Sequence, residues 1–379
     1  MKKTADVIII GGGIVGCAIA YYLTKKGVKD IMVLEGSDSI GHGGSSRNGG
    51  GVRQSGRDPR ELPIAMAAVQ KFWPTLSEEL GRDVEYTQKG NLRLGKTEAH
   101  MKKLQALADS CAAGGLKLDM ISGDEVRKIS PYMSEDVMGA SFCPTDGHAN
   151  PLVATLAYYL KDIELGVHFY TGAMVEALEK VKGKVRKVIL KDGTVLEGGE
   201  VVVAAGYDSR RIINTIGLDI PMTPLVDCAL VTEMEPEMFP QMLGTAAADF
   251  YGHQTKHGSF VFGSESGLEE FIDVKDPNDM RIQHPATLGA SCRAIEGWIP
   301  ALAKAKIVRS WSGILDMTKD GVCVLGRPKE ADGLVLACGF NGHGFGTAPA
   351  VGYIIAQTIV GEDPICDIKP LRYERFYEV

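Results

Sequence analysis

The chain has 379 residues, 41 of them basic and 48 acidic, with a formal net charge of −7. Hydrophobic residues make up 45% and charged residues 23%, which is ordinary for a chain with a sizeable core and excludes a disordered protein. An acidic balance without a basic run argues against nucleic acid or an anionic membrane as the main partner.

The length suggests two or three domains, at roughly 150 residues each. None of the eight cysteines lies in a Cys-x-x-Cys spacing. The lack of that spacing argues against a zinc ribbon or a ligand-complete iron–sulfur motif within this chain, and no metal site is expected. Free buried thiols fit a reducing, cytoplasmic setting. Lys2-Lys3, the uncharged stretch 7–23 and Ala18-Ile-Ala20 imitate a secretory signal. Asp6 before that stretch and Gly11-Gly-Gly13 within it speak against one. No other stretch approaches the ~18 apolar residues of a membrane helix, so no transmembrane segment is expected.

Val7-Ile-Ile-Ile10 reads as a strand buried on both faces. Gly11-Gly-Gly13-Ile14-Val15-Gly16 follows at once, then a helix from Cys17 to Lys26 closed by Gly27, then a strand Ile31–Leu34 ending in Glu35 and Gly36. This is a strand–helix–strand unit that binds a dinucleotide. Gly11 permits the tight turn, Gly13 lets backbone approach a pyrophosphate, and Gly16 lets helix and strand pack closely. The helix start offers free N–H groups to phosphate. Glu35 stands nineteen residues after Gly16, close to the ~20 expected of the acid that accepts from a ribose hydroxyl.

Gly41 to Arg53 is a second glycine-rich loop containing Gly44, Ser45, Ser46, Arg47, Asn48, Gly49 and Gly50. A nicotinamide nucleotide has little use for it. A flavin needs such backbone and hydroxyl groups along its pyrophosphate, ribityl chain and ring, so FAD is the expected cofactor.

Farther on, helices are expected at 62–80, 98–113, 151–160 and 285–298, and strands at 91–94, 167–175, 225–235 and 307–313. Val185–Leu190 and Thr194–Leu196 form a hairpin about an Asp-Gly turn. Glu200–Gly206 and Gly333–Gly339 read as further buried strands, and a second hairpin turns at Lys256-His-Gly258. A last helix is expected from about Ala348 to Val360, capped by Gly361.

Four motifs now stand in one order. They are Gly11-x-Gly-x-x-Gly16 with Glu35, Ser45 through Arg53, Val201 through Ala205 and Gly206, and Gly339-Phe-Asn341-Gly342-His343-Gly344-Phe345-Gly346 with Thr347 and Pro349. Together they resemble the FAD-dependent D-amino-acid oxidase superfamily, on its sarcosine oxidase, glycine oxidase and proline or opine dehydrogenase β-subunit branch. Trp311-Ser-Gly313 through Thr318-x-Asp-Gly321 is similar to that branch too.

The resemblance implies an α/β protein, α+β overall. A Rossmann-like FAD domain with a parallel sheet would take 1–82, 145–222 and 300–379. A substrate domain with an antiparallel sheet would take 83–144 and 223–299. Val175, Gly313, Asn341, Gly342, Gly344, Phe345, Gly346 and Thr347 join the glycine loops as expected FAD contacts. The implied reaction oxidises a C–N bond beside a carboxylate in an amino acid or secondary amine such as sarcosine, proline, hydroxyproline or an opine. Electrons would go to partner subunits carrying iron–sulfur or flavin centres. A 2-hydroxy-acid dehydrogenase and a non-catalytic FAD subunit are the rival readings.

Two departures qualify the resemblance. Ile314-Leu-Asp-Met317 lacks the cysteine that tethers flavin in monomeric sarcosine oxidases, so the FAD is expected to be non-covalent. Gly346 stands where they use a carboxylate-binding lysine. Arg53 matches their carboxylate-binding arginine, although a structural salt bridge would also use one there. His343 should lie against the flavin. Tyr251 and His253 share a strand face and are candidate substrate contacts. His148 reads as part of a turn and helix cap.

Overall fold

The computed structural model describes residues 1–265 and 285–378. The parts of the expected domains at 266–284 and 379 lie outside the described residues. Two eight-stranded sheets organise the rest.

The first sheet starts from β1 (Thr4–Ile10), α1 (Ile14–Lys25) and β2 (Ile31–Leu34). Its main path places Leu334–Cys338, Val195–Val203, β1, β2 and His168–Tyr170 side by side, all parallel. Val324–Gly326 adds an antiparallel edge. The unbroken apolar runs follow from burial on both faces. Val7, Ile9, Ile31, Val33 and Val202 pack on one side with α1 and the helix Gly344–Val360. Ile8, Ile10, Met32, Leu34, Val201 and Val203 pack on the other, beneath Val175–Val181 and Lys184–Leu190.

The second sheet runs Ile307–Thr318, Met222–Met234, Ser259–Glu265, Tyr251–Gln254, Met242–Thr245, Asn91–Gly95, Gly139–Cys143 and Asp119–Ser122. Every adjacent pair is antiparallel except Met242–Thr245 beside Asn91–Gly95. Ile307–Thr318 pairs with Met222–Met234 along its length. It therefore belongs to the second sheet, although it falls in the 300–379 stretch expected with the first. We propose a division that keeps the expected ranges but gives 307–318 to the substrate unit.

Other departures have local causes. The strand expected at 167–175 is two, His168–Tyr170 and Val175–Val181. Between them Gly172 turns at φ 64°, and its N–H donates to Ser37 O while the Ala173 N–H donates to Glu35 O. The hairpin arm at 194–196 and the buried strand at 200–206 form one strand, Val195–Val203. The helix expected over 62–80 is several short helical turns of differing pitch. The last helix begins at Gly344 rather than Ala348. Packing overrides the poor helix propensity of its glycines there. A Cβ on Gly346 would lie 2.9 Å from Gly51 O, and Trp73 Nε1–H donates to Gly346 O at 2.8 Å.

A short ladder of Gly51–Val52 with Gly147–His148 ties the second glycine loop to the chain entering the helix Pro151–Glu164. Asn150 caps that helix, accepting from the Leu152 and Val153 N–H groups. His148 is not the capping residue. Its ring stacks on His253 with centroids 3.8 Å apart, both rings being buried.

Burial pushes the His148 imidazole down from 6.5 to about 4, and pushes His253 well down, with His148 adding to the effect. Both are neutral in the fold near pH 7. Below about pH 6.5 the unfolded chain takes up protons that the folded pair refuses, so stability is lost as pH falls toward 4. The unfolding temperature should drop from pH 7.5 to 4.5, and His253→Phe should flatten that drop. Parallel curves for parent and variant would clear the pair of the effect.

Candidate active site

A cleft of about 380 Å³ lies at the carboxyl ends of β1 and β2 and reaches the second sheet. Ligands of open α/β sheets bind at this edge. One end is walled by Gly11, Gly13, Ile14, Val15, Glu35, Gly36, Val175, Ala205 and Gly206. The middle is walled by Gly44, Ser45, Arg47, Asn48 and Gly49, and the far end by Arg53, Tyr251, Gly313, Asn341, Gly342, His343, Gly344 and Phe345.

The turn at the first end admits no side chains. A Cβ on Gly11, at φ 113°, would lie 2.3 Å from Ala204 O, and one on Gly13 would lie 2.9 Å from Ser45 Oγ. The helix α1 has no side-chain cap of its own. Ser45 Oγ instead accepts from the Ile14 N–H at 2.9 Å. Glu35 faces the cleft with its carboxylate braced by the Gly12 and Ser37 N–H groups. Backbone cradle, helix start and braced carboxylate fit the pyrophosphate and ribose of a dinucleotide.

Seven of the expected residues do not line this cleft. Gly16 packs α1 on its strand, since a Cβ there would lie 2.0 Å from Gly11 O. Gly50 packs on Ala149 O in the same way. Ser46 Oγ donates back to His42 O, and Thr347 Oγ1 to His343 O. Gly339 donates its N–H to Asp316. Gly346 is pressed on the Gly51 backbone, so no lysine fits in its place without moving that strand. His253 shares a strand face with Tyr251 but turns into a neighbouring cavity of about 170 Å³.

At the far end Tyr251 sits between Gly49 and Gly263, where any Cβ would meet its ring at under 3 Å. Burial pushes its hydroxyl up to about 12. The Arg53 guanidinium lies 5.7 Å from the centre of that ring, and its Nε has no hydrogen-bond partner.

His343 Nδ1 lies 3.1 Å from Glu61 Oε2. Burial, and then Arg57, push His343 down to about 4 against the pull of Glu61. Burial pushes Glu61 up, but the His343 contact and the Cys323 N–H outweigh it, so this carboxyl is held below its usual range. An ionised Glu61 makes Nδ1 the protonated nitrogen. The Nε2 lone pair is then free at a ring that lines the cleft.

Sequence reading missed four functional side chains. Asp316 accepts from the Gly339 N–H at 2.8 Å and fixes the loop before His343. Burial raises its carboxyl to about 6. Glu61 orients His343. Arg57 lines the cleft, and Arg93 packs its guanidinium on Gly56. The spacing Arg53-x-x-x-Arg57 was the available signal for one of them. The other three are brought in by distant segments.

A family model described as DAO, FAD dependent oxidoreductase, matches residues 6–358. The chain is 28% identical to the sarcosine oxidase subunit beta of an Arthrobacter species, over 99% of this chain and 92% of that one. It is also 28% identical to the glycine oxidase of Bacillus licheniformis, over 95% of this chain and 94% of that one. The structure of L-proline dehydrogenase from P. horikoshii is similar with a TM-score of 0.89 at 28% identity, covering 99% of this chain and 98% of that one. With a dinucleotide cradle at one end of the cleft and a match over nearly its whole length, the chain belongs to the DAO family of FAD-dependent oxidoreductases.

Proposed function

We propose that this enzyme oxidises the C–N bond of an amino acid or secondary amine, the substrate class for which the sarcosine, glycine and proline relatives are named. The observation that carries this reading is Arg53, a guanidinium facing the cleft beside Tyr251. Its planar fork suits a carboxylate. The FAD contacts we propose are the residues walling the cradle and the loop at 44–49, together with the backbone at 341–345. Bound there, FAD supplies a hydride acceptor.

The chain supplies the rest. Arg53 holds the carboxylate and so fixes the carbon beside the amine. Tyr251 packs on Gly49 of the glycine loop and excludes water from that face. The substrate binds as its neutral amine: His343, which burial keeps unprotonated near pH 7, accepts a hydrogen bond from the amine N–H at Nε2, and the amine lone pair is free to form the C=N bond as hydride departs. Water then hydrolyses that bond outside the protein's control, or the product cyclises. The start of the helix Gly344–Val360 abuts the same end of the cleft, where its dipole favours negative charge.

Acid precipitation should release all flavin into the supernatant, because the segment at 314–317 has no cysteine to hold it. Glu35→Ala should weaken FAD binding about tenfold or more, from loss of a charge-assisted bond of roughly 1.5–3 kcal/mol. Flavin retained in the pellet, or a variant that keeps FAD through dialysis as the parent does, would contradict these assignments.

Arg53→Ala should lower kcat/KM by roughly 10²–10³-fold, since breaking a buried pair costs ~3–5 kcal/mol. Its flavin content should stay normal, and Arg53→Lys should recover only part. His343→Ala should lower kcat/KM by about tenfold at every pH, from loss of one hydrogen bond, while parent and variant alike gain rate as pH rises toward the substrate amine pKa. Full turnover by Arg53→Ala or by His343→Ala would remove the respective role.

The relative named subunit beta implies a complex for that protein. We extend this to the present chain, with reduced flavin reoxidised by a partner carrying an iron–sulfur or flavin centre. No group of three or more metal-ligating side chains occurs among the described residues to do this within the chain. Turnover with an artificial acceptor should exceed oxygen consumption. Rapid peroxide release would instead mark a self-sufficient oxidase.

A further inference from the structure

Three guanidiniums converge at the substrate end of the cleft. Arg53 and Arg57 both line it, and the Arg57 Nε–H donates to Arg53 O at 3.2 Å. Arg57 is 6% exposed. Arg93, from the facing strand Asn91–Gly95, lays its terminal nitrogens on Gly56, where a Cβ would lie 3.1 Å from them. Several other arginines take carboxylate partners, as Arg60 does with Asp58 and Arg375 with Asp320. Among the described residues, Arg53, Arg57 and Arg93 have no ion-pair partner.

Asp146 and Glu61 are already committed. Asp146 accepts from the Gln54 N–H, the Ser55 N–H and the Ser55 hydroxyl. Glu61 accepts from the Cys323 N–H and His343. Asp227 also lines the cleft, in register with Gly313, and its charge acts on the Tyr251 hydroxyl.

Like charges held this close under burial oppose one another. Burial and then Arg53 push Arg57 down to about 9, and push Arg93 to about 10. A fold does not gather buried guanidiniums for stability, since an unpaired buried charge is costly. One carboxylate satisfies Arg53. It leaves Arg57 pointing into the same cleft with terminal donors that no protein group takes.

We propose that the substrate carries two carboxylates: an amino diacid or imino diacid with one carboxylate on Arg53 and the other on Arg57. Arg93 adds its charge from behind Gly56. This inference rests on the amine-oxidising reading above and narrows it from amino acids in general to acidic ones. Removal of the α-hydride is unchanged, because the second carboxylate takes no part in bond breaking. It contributes by fixing the substrate at both ends, which orients the reacting carbon.

The test uses the FAD-loaded enzyme and a matched pair, sarcosine and iminodiacetate, which differ by one carboxylate. The ratio of their kcat/KM values should favour the diacid by 10²-fold or more. Arg57→Met should bring the ratio toward unity, and Arg57→Lys should restore part of it. A second measurement needs neither turnover nor a variant. Malonate or succinate should raise the unfolding temperature of the parent more than acetate or propionate at equal concentration. Equal rates for the two amines with equal shifts for mono- and dicarboxylates would overturn the diacid assignment and leave the amine oxidase standing. Flavin that no amine reduces would instead defeat the broader reading.

Discussion

The site depends on backbone passing too close to backbone for any side chain to intervene. Gly11 against Ala204, Gly16 against Gly11, Gly50 against Ala149 and Gly346 against Gly51 are four such approaches. Each replaces a side chain by a wall of peptide groups. The cradle for phosphate, the start of the last helix and the strand that carries Arg53 are all held in place by them. The cost is conformational entropy, which glycine loses more of than any other residue on folding. The gain is a groove whose polar lining is fixed before a ligand arrives.

From this constraint the division of labour follows. The first sheet provides rigid parallel strands whose ends aim at one line. The second sheet provides side chains, Tyr251 and Arg93 among them, that face the substrate end. Asp316 joins the two by holding the Gly339 N–H from a strand of the second sheet. His343 and Glu61 complete the join, because Glu61 precedes the helical segment that begins at Leu62 and also receives the Cys323 N–H.

Much of this was legible from local sequence. Gly11 to Glu35 specifies its own turn, helix and strand, because each residue acts within the unit that contains it. Strand Ile31–Leu34 and helix Glu98–Ala113 fall where their patterns place them. The cradle and the second glycine loop were readable for the same reason. Long-range packing was not. Nothing near Gly344 announces a helix, since Trp73 and the Gly51 strand supply the reason for one. His253 shares a strand face with Tyr251, yet the stack on His148 turns it away from the cleft. Arg93 and Asp316 have no local motif, and they matter only because distant strands deliver them.

The interleaving of the two sheets has a consequence for how the chain is made. Helix α1 buries its apolar face against the helix Gly344–Val360, with Gly352 in contact with Ala18. Strand Val195–Val203 waits likewise for Leu334–Cys338 on its open side. On the ribosome the nucleotide unit at 4–35 emerges well before its covering helix, which is complete only once synthesis has passed Val360. Its apolar surface stays open through that interval, when nascent chains are most prone to associate wrongly. Folding here is a closing step made late by the C-terminal strands and helix, and a chain cut anywhere before about residue 360 leaves the first sheet unsealed.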